Sequence, residues 1–104
     1  IMMNPKKMMN QIKKMQDDMM KIQDQLATEL IEESAGGGMV KATVTGQLKL
    51  HSVKIDPSVV DPEDMGMLED LVVVAVNKAL EKAQELSAQK MSQLTGGIKI
   101  PGLM

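Results

Sequence analysis

The chain has 104 residues, enough for one hydrophobic core but not for two domains that would each be stable alone. It contains no Cys, Phe, Trp or Tyr, which excludes disulfides, thiolate chemistry and the stacking of bases on aromatic rings. The net charge of −2 excludes an overall basic field, so any binding of nucleic acid must depend on local charge.

The first segment has the apolar pattern of a long amphipathic helix. Its apolar residues alternate at spacings of four and three, the a/d pattern of a heptad repeat: Met8, Ile12, Met15, Met19, Ile22 and Leu26. Asn4 is suited to cap this helix and Pro5 to begin it. We predict a helix over about residues 5–26. The regular spacing favours a packing surface over a promiscuous hydrophobic groove, and dimerisation would give a chain without aromatic residues additional core.

Five lysines lie on this helix away from its apolar positions: Lys6, Lys7, Lys13, Lys14 and Lys21. If Met8 is heptad position d, they occupy positions b and c only, which predicts a basic stripe facing solvent. Asp17, Asp18 and Asp24 partly neutralise it. Such a stripe is typical of a solvated surface, and it also fits a surface that binds phosphates. Without Arg or aromatic residues, binding would involve the duplex backbone, with little direct reading of bases.

Three strands are predicted over about residues 28–56. Residues 28–34 form an acidic edge strand, and Val40, Ala42 and Val44 alternate with polar residues as in a half-buried strand. In the third segment the apolar residues change phase between Leu50 and Val53. A bulge near residues 51–52, or burial on both faces, would explain this change.

Three consecutive glycines, Gly36 to Gly38, suggest either a phosphate-binding loop or a turn. A phosphate loop requires a helix directly after the glycines, so that the backbone amides and the helix dipole face the phosphate. A strand is predicted there instead. The pattern therefore favours a flexible hairpin connection.

A second long helix is predicted over about residues 62–94, with Asp61 as the cap and Pro62 as the first helical residue. Its first half is apolar on two stripes, so it needs two packing partners. The sheet can provide one of them, and a second copy of the protein is the candidate for the other. We predict an extended tail over residues 96–104 and a single domain over the whole chain, residues 1–104.

No catalytic or metal-binding constellation is visible. His51 has no evident acid partner and no further metal ligands at a suitable spacing, so a structural or solvated role is favoured. We therefore expect no enzyme activity, no cofactor, no metal and no small-molecule substrate. No run of about 18 apolar residues and no secretory signal are present, so no membrane contact is expected and the expected location is cytoplasmic.

Several long motifs resemble the YbaB/EbfC family of bacterial nucleoid-associated proteins. They are "IDPSVV", "MLEDLVVVAVNKALEKAQE", the closing "GG-K-PG" pattern, the helix "MMNQIKKMQDDMMKIQDQL" and the hairpin "SAGGGMVKATVTG". The resemblance covers essentially the whole chain.

The resemblance implies an α+β fold: an α-β-β-β-α subunit with a three-stranded antiparallel sheet and two long helices, in an intertwined, tweezer-like homodimer. It also implies binding to double-stranded DNA, a change in DNA conformation, and a role at the nucleoid in its organisation and in gene regulation. The matching DNA-binding positions would be the five lysines of the first helix, with Lys78, Lys82 and Lys90 of the second. The alternative is a protein-interaction or scaffold module that docks a partner through the Met-rich helix or the C-terminal tail.

Overall fold

The protein folds as a helix, a three-stranded antiparallel sheet and a second long helix, as the sequence predicts. The computed structural model describes residues 4–95, so the predicted tail at 96–104 lies outside the described residues. Over the described range the protomer is elongated, with extents of 73 × 27 × 16 Å. The elements in chain order are α1 (Pro5–Thr28), β1 (Leu30–Ala35), β2 (Val40–Thr45), β3 (Leu50–Ile55), a 3-10 turn (Pro57–Val59) and α2 (Met65–Thr95).

α1 begins at the predicted residue and ends two residues later than predicted. The side chain of Asn4 accepts a hydrogen bond from the Lys6 backbone N–H at 3.0 Å, and Pro5 follows the cap. This satisfies one of the backbone donors that every helix leaves free at its start. At the other end, Glu29 takes an extended backbone conformation, and β1 follows directly.

The end of α1 packs closely against the turn between β2 and β3. A Cβ atom at Gly46 would lie 2.7 Å from the backbone carbonyl oxygen of Leu26, so only glycine fits. The Gly46 N–H donates to the Glu29 carbonyl at 3.0 Å, and Gln47 Nε2 donates to the Gln23 carbonyl at 3.0 Å. These contacts fix the end of α1 to the sheet.

The three glycines connect β1 to β2. Gly36, Gly37 and Gly38 all have positive φ angles, of 62°, 69° and 91°, which residues with a Cβ atom rarely adopt. The segment that follows them is a strand rather than the helix that a phosphate loop requires. The interpretation as a hairpin connection is confirmed.

A β-bulge at His51 resolves the change of phase in β3. Thr43 pairs with Ser52 while Val44 pairs with Leu50, so β3 has one extra residue at this point. The bulge places Leu50 on the same face of the sheet as Val53. Of the two explanations that the sequence allowed, the bulge is confirmed.

α2 begins at Met65, three residues after the predicted start. Asp61 accepts a hydrogen bond from the Glu63 N–H at 3.0 Å within a preceding turn, and Asp64 accepts one from the Met67 N–H at 3.3 Å. The prediction of Asp61 as the cap was therefore wrong, because Asp64 makes the side-chain bond to the first turn. Both aspartates carry a capping signal, and the sequence does not distinguish them.

The core lies between α2 and one face of the sheet, which we call the inner face. α2 packs across β1 and β2, and its buried residues include Ala75, Ala79 and Ala83, each 0% exposed. These small side chains recur every four residues on one side of the helix, which lets the helix approach the strands closely. Opposite them, the inner face of β2 contributes Val40, Ala42 and Val44.

Candidate nucleic-acid interface

The basic stripe of α1 is exposed over its whole length. All five of its lysines are exposed, and none of the ion pairs found among residues 4–95 involves them. Lys6, Lys7, Lys13 and Lys14 lie on the first half of α1, before the part of the helix that approaches α2. Their ammonium groups are therefore available to an external anion.

Lys21 differs in its surroundings from the other four. It lies beside Asp18 on a shallow cleft between the end of α1 and the last turns of α2, where Lys90 and Gln93 form the opposite side. Asp18 is half-buried there, whereas Asp17 and Asp24 are exposed. The positive charge of the stripe is thus least compensated toward the N-terminal half of α1.

The three lysines of α2 bind groups of β1 and the residue before it within the protomer. Lys82 Nζ lies 3.4 Å from Glu33 Oε1, and Lys90 Nζ lies 3.3 Å from Glu29 Oε2. Lys78 Nζ donates to the Ser34 backbone carbonyl at 3.2 Å. Lys82 and Lys90 are thus paired with glutamates and Lys78 with a backbone carbonyl, so each would have to give up a partner before binding DNA.

Two further lysines, Lys41 and Lys54, meet on the face of the sheet opposite to α2, which we call the outer face. The register of β2 and β3 places them directly opposite each other, and both are exposed. The sequence pattern alone does not single them out. Their positions alternate with inward-facing apolar residues, but the pairing depends on the strand register, which the bulge at His51 changes.

The imidazole of His51 and the carboxyl of Asp56 both lie at the protein surface. His51 is exposed in the bulge. The Ser58 backbone N–H, hydrogen-bonded to Asp56, lowers the pKa of that carboxyl, and the Ser58 side chain lowers it further; Asp56 is fully exposed. Among residues 4–95 no group of three or more His, Asp or Glu side chains could hold a metal ion, and no helix is long and apolar enough to cross a membrane.

Two apolar surfaces of the protomer have no partner within the described chain. The first is the heptad seam of α1, where Met8, Ile12, Met15 and Met19 are between 39% and 54% exposed, whereas Leu26 is fully buried. The second consists of exposed apolar side chains on the inward-facing side of β3 and on α2, among them Leu50 at 54%, Ile55 at 40% and Val73 at 56%.

The fold and the surface therefore define a small α-β-β-β-α protein with a lysine-bearing helix. A family model described as the YbaB/EbfC DNA-binding family matches residues 2–98. The chain belongs to this family, as the motifs of the two helices and the hairpin indicated.

Curated relatives agree in name and in length. A protein named nucleoid-associated protein from Pelotomaculum thermopropionicum is 48% identical over 100 residues, covering 96% of this chain and 95% of the relative. Another of the same name, from Syntrophobacter fumaroxidans, is 53% identical over 95 residues, covering 91% of this chain and 86% of the relative.

The fold also matches a crystal structure of an uncharacterised protein from Helicobacter pylori. The TM-score is 0.81 at 19% sequence identity, with 91% of this chain and 100% of that chain covered. At this identity the match shows that the fold is shared and nothing more.

Proposed function

We propose that the protein binds duplex DNA as a homodimer, mainly through the phosphate backbone, and alters the conformation of the DNA. In this role it contributes to nucleoid organisation and gene regulation, and it acts in the cytoplasm at the nucleoid. Membership of a DNA-binding family supports DNA as the ligand. The observation that carries the mode of binding is the stripe of five exposed lysines on α1, which form no ion pair with any described residue.

The side-chain inventory favours backbone contacts over reading of bases. Lysine ammonium groups bind phosphate oxygens as point charges, and counterion release makes this binding strongly dependent on salt. The chain has no Arg for bidentate contacts to guanine and no aromatic side chain for stacking. Any sequence preference would then come from the DNA itself, because some sequences adopt more easily than others the conformation that fits the positions of the lysines.

The α1 lysines should contribute more than those of α2. Within the described part of the chain, the five lysines of α1 are free of ion pairs, whereas Lys82 and Lys90 are paired with Glu33 and Glu29. We keep Lys78, Lys82 and Lys90 in the proposed site because their contacts are partly open to solvent, where a single ion pair or hydrogen bond is weak and can exchange for a phosphate contact.

The homodimer is supported by the two uncovered apolar surfaces. A heptad seam is the pattern by which helices pack against helices, and here most of it faces solvent in the protomer. Water is a poor solvent for so much contiguous apolar surface, so a second copy is the simplest cover. A dimer would present two α1 stripes, and contacts from both to one duplex would bend it or hold it in a fixed geometry.

A DNA titration at several salt concentrations tests the proposal. We expect the affinity to fall as salt rises, with a log–log slope that shrinks by about one for each phosphate that a variant no longer neutralises. The variant Lys7→Gln/Lys14→Gln/Lys21→Gln should therefore show weaker binding and a shallower slope.

The matched control is Lys7→Arg/Lys14→Arg/Lys21→Arg, which keeps the charge and the helix propensity and should bind like the wild type. If the wild-type protein shows no salt-dependent binding, or if the Gln variant binds unchanged, the backbone mechanism is wrong.

The exposed methionines also favour a second candidate, a module that docks another protein through the seam of α1. Met side chains adapt to varied partners, and Met8 and Met19 of the seam are 47% and 43% exposed. Pull-down with the lysine face substituted distinguishes the two functions. In Lys7→Gln/Lys14→Gln/Lys21→Gln the seam is intact, so capture of a protein partner should persist while DNA binding is weakened. The C-terminal tail, the other predicted docking segment, lies outside the described residues.

A further inference from the structure

We propose that the outer face of the sheet is a second DNA-binding surface, in which Lys41 and Lys54 bind phosphate groups of duplex DNA. This inference rests on the proposed function, since it concerns the same ligand. It adds a surface formed by β2 and β3 to the one formed by the helices.

The strand register brings two positive charges together. Lys41 and Lys54 are Cα partners in the antiparallel pair of β2 and β3, so their side chains leave the same face side by side. Directly opposite residues have Cβ atoms about 4.5–5.5 Å apart, and like charges in this arrangement destabilise a sheet. A phosphate between the two ammonium groups would reverse the sign of this interaction.

No carboxylate among residues 4–95 forms an ion pair with either lysine. Asp56 lines the same shallow surface, but its carboxylate accepts a hydrogen bond from the Ser58 N–H at 2.8 Å and lies beyond ion-pair distance of both ammonium groups. The contrast with α2 is direct, since there Lys82 and Lys90 are both paired with glutamates.

The next row of the outer face adds hydroxyl groups. Thr43 and Ser52 are partners in the register and lie two residues along from the lysines, on the same face. Ser34 of β1 is the partner of Lys41 on its other side. Hydroxyl and ammonium groups together are the usual protein donors to DNA phosphates, whereas the single acid among these outward positions of β1 is Glu32.

Neither helix of the described chain covers the outer face. α2 packs on the inner face, and α1 meets the sheet where Leu26 packs against Gly46. Lys41 and Lys54 are exposed, and Thr43 is half-buried beside them. An external anion can therefore reach both ammonium groups without displacing part of the protein.

The test compares four proteins on one DNA duplex over a range of salt concentrations. They are the wild type, Lys41→Gln/Lys54→Gln, Lys41→Arg/Lys54→Arg, and Lys82→Gln/Lys90→Gln, which changes the net charge equally at lysines that already have partners. We expect the first Gln pair to weaken binding on the order of tenfold or more near 0.1 M salt and to lower the slope by about one to two. The Arg pair should bind like the wild type, and the α2 pair should weaken binding less.

Thermal stability separates a direct effect on DNA binding from a loss of structure. Removing one or both of the facing charges should leave the melting temperature unchanged or higher, because the repulsion between them disappears. If the double variant has a lowered melting temperature, the single variant Lys54→Gln, on the edge strand β3, serves as a second test. We expect Lys54→Gln to weaken DNA binding as well.

The outcomes distinguish this surface from the proposed function. If the wild type binds, the α1 lysines matter, and Lys41→Gln/Lys54→Gln binds unchanged, the sheet surface is overturned and the proposed function remains. If the wild type shows no salt-dependent binding, both are overturned.

Discussion

Gly46 is the residue where one added carbon atom would meet the backbone itself. A Cβ atom added at Gly46 would lie 2.7 Å from the backbone carbonyl oxygen of Leu26. A backbone atom cannot move aside as a flexible side chain can. We expect Gly46→Ala to lower the free energy of unfolding by about 1–3 kcal/mol, as overpacking of a tight contact does. Chemical denaturation measures this difference.

Gly66 provides the matched control for the same substitution. It lies in the first turn of α2, and the nearest atom to an added Cβ is the Asp64 carboxylate at 3.9 Å. Gly66→Ala should raise the free energy of unfolding by about 0.5–1 kcal/mol, because alanine restricts the unfolded chain and favours the helix. Equal effects of the two substitutions would contradict the close packing of α1 against the turn.

The structural role of a residue could be predicted from the sequence where a local pattern determines that role. The capping role of Asn4 and the turn at Gly36–Gly38 follow from the side chains themselves. The contact of Gly46 with Leu26, in contrast, joins two distant parts of the chain and depends on where α1 ends. No local signal reports such a contact.

Among the secondary-structure elements, the short 3-10 turn after β3 has a titratable cap. Asp56 accepts the hydrogen bond from the Ser58 backbone N–H, which holds the pKa of Asp56 below its usual range. Because the folded pKa is lower than the unfolded value of about 3.9, the carboxylate stabilises the fold above that pH. This contribution is lost as the pH falls through the folded pKa.

We therefore expect the stability advantage of the wild type over Asp56→Asn to be constant from pH 7 to about pH 5. Below about pH 4 it should shrink, because the wild-type carboxyl becomes neutral like the amide. Urea unfolding of both proteins across this pH range measures the difference in their free energies of unfolding. NMR titration of the Asp56 carboxyl gives its pKa directly. An advantage that grows as the pH falls would show that the assigned cap is wrong.

The order of elements was predictable because each has a strong internal pattern. The heptad of α1 and the alternation in β2 identify both without reference to the rest of the chain. The start of α2 was missed because Asp61 and Asp64 both resemble caps. The partners of the three α2 lysines arise only when α2 packs across the sheet, as does the meeting of Lys41 and Lys54 when the strands pair.

At the scale of the whole molecule, charge and apolar surface are separated on α1. The seam of Met8, Ile12, Met15 and Met19 lies away from the lysines in the heptad, so one side of the helix is left to pack while the other presents its lysines to solvent. In the proposed function, this separation would let an acidic protein bind a polyanion. The net charge of −2 is the sum over the whole chain, whereas the exposed lysines of α1 are grouped on one side of one helix.

The seam can be tested without altering the core of the protomer. Ile12 is 54% exposed and Met15 is 39% exposed, so Ile12→Glu/Met15→Glu should leave the protomer folded. In a helix-to-helix interface the same charges would be buried without partners, which costs several kcal/mol for each. We therefore expect the mass in solution to fall from twice the 11.3 kDa of the chain to that of one chain.

Asn10→Glu/Gln11→Glu is the control, since it adds the same charge to the same turns of α1 at exposed positions outside the seam. It should remain a dimer. DNA affinity should separate the two variants further, because only the seam variant loses the second lysine stripe and with it the gain from simultaneous binding by both stripes, which can exceed about a hundredfold. A seam variant that keeps the dimer mass would move the interface to the other uncovered apolar surface, on β3 and α2, where Leu50→Glu and Val73→Glu are the corresponding substitutions.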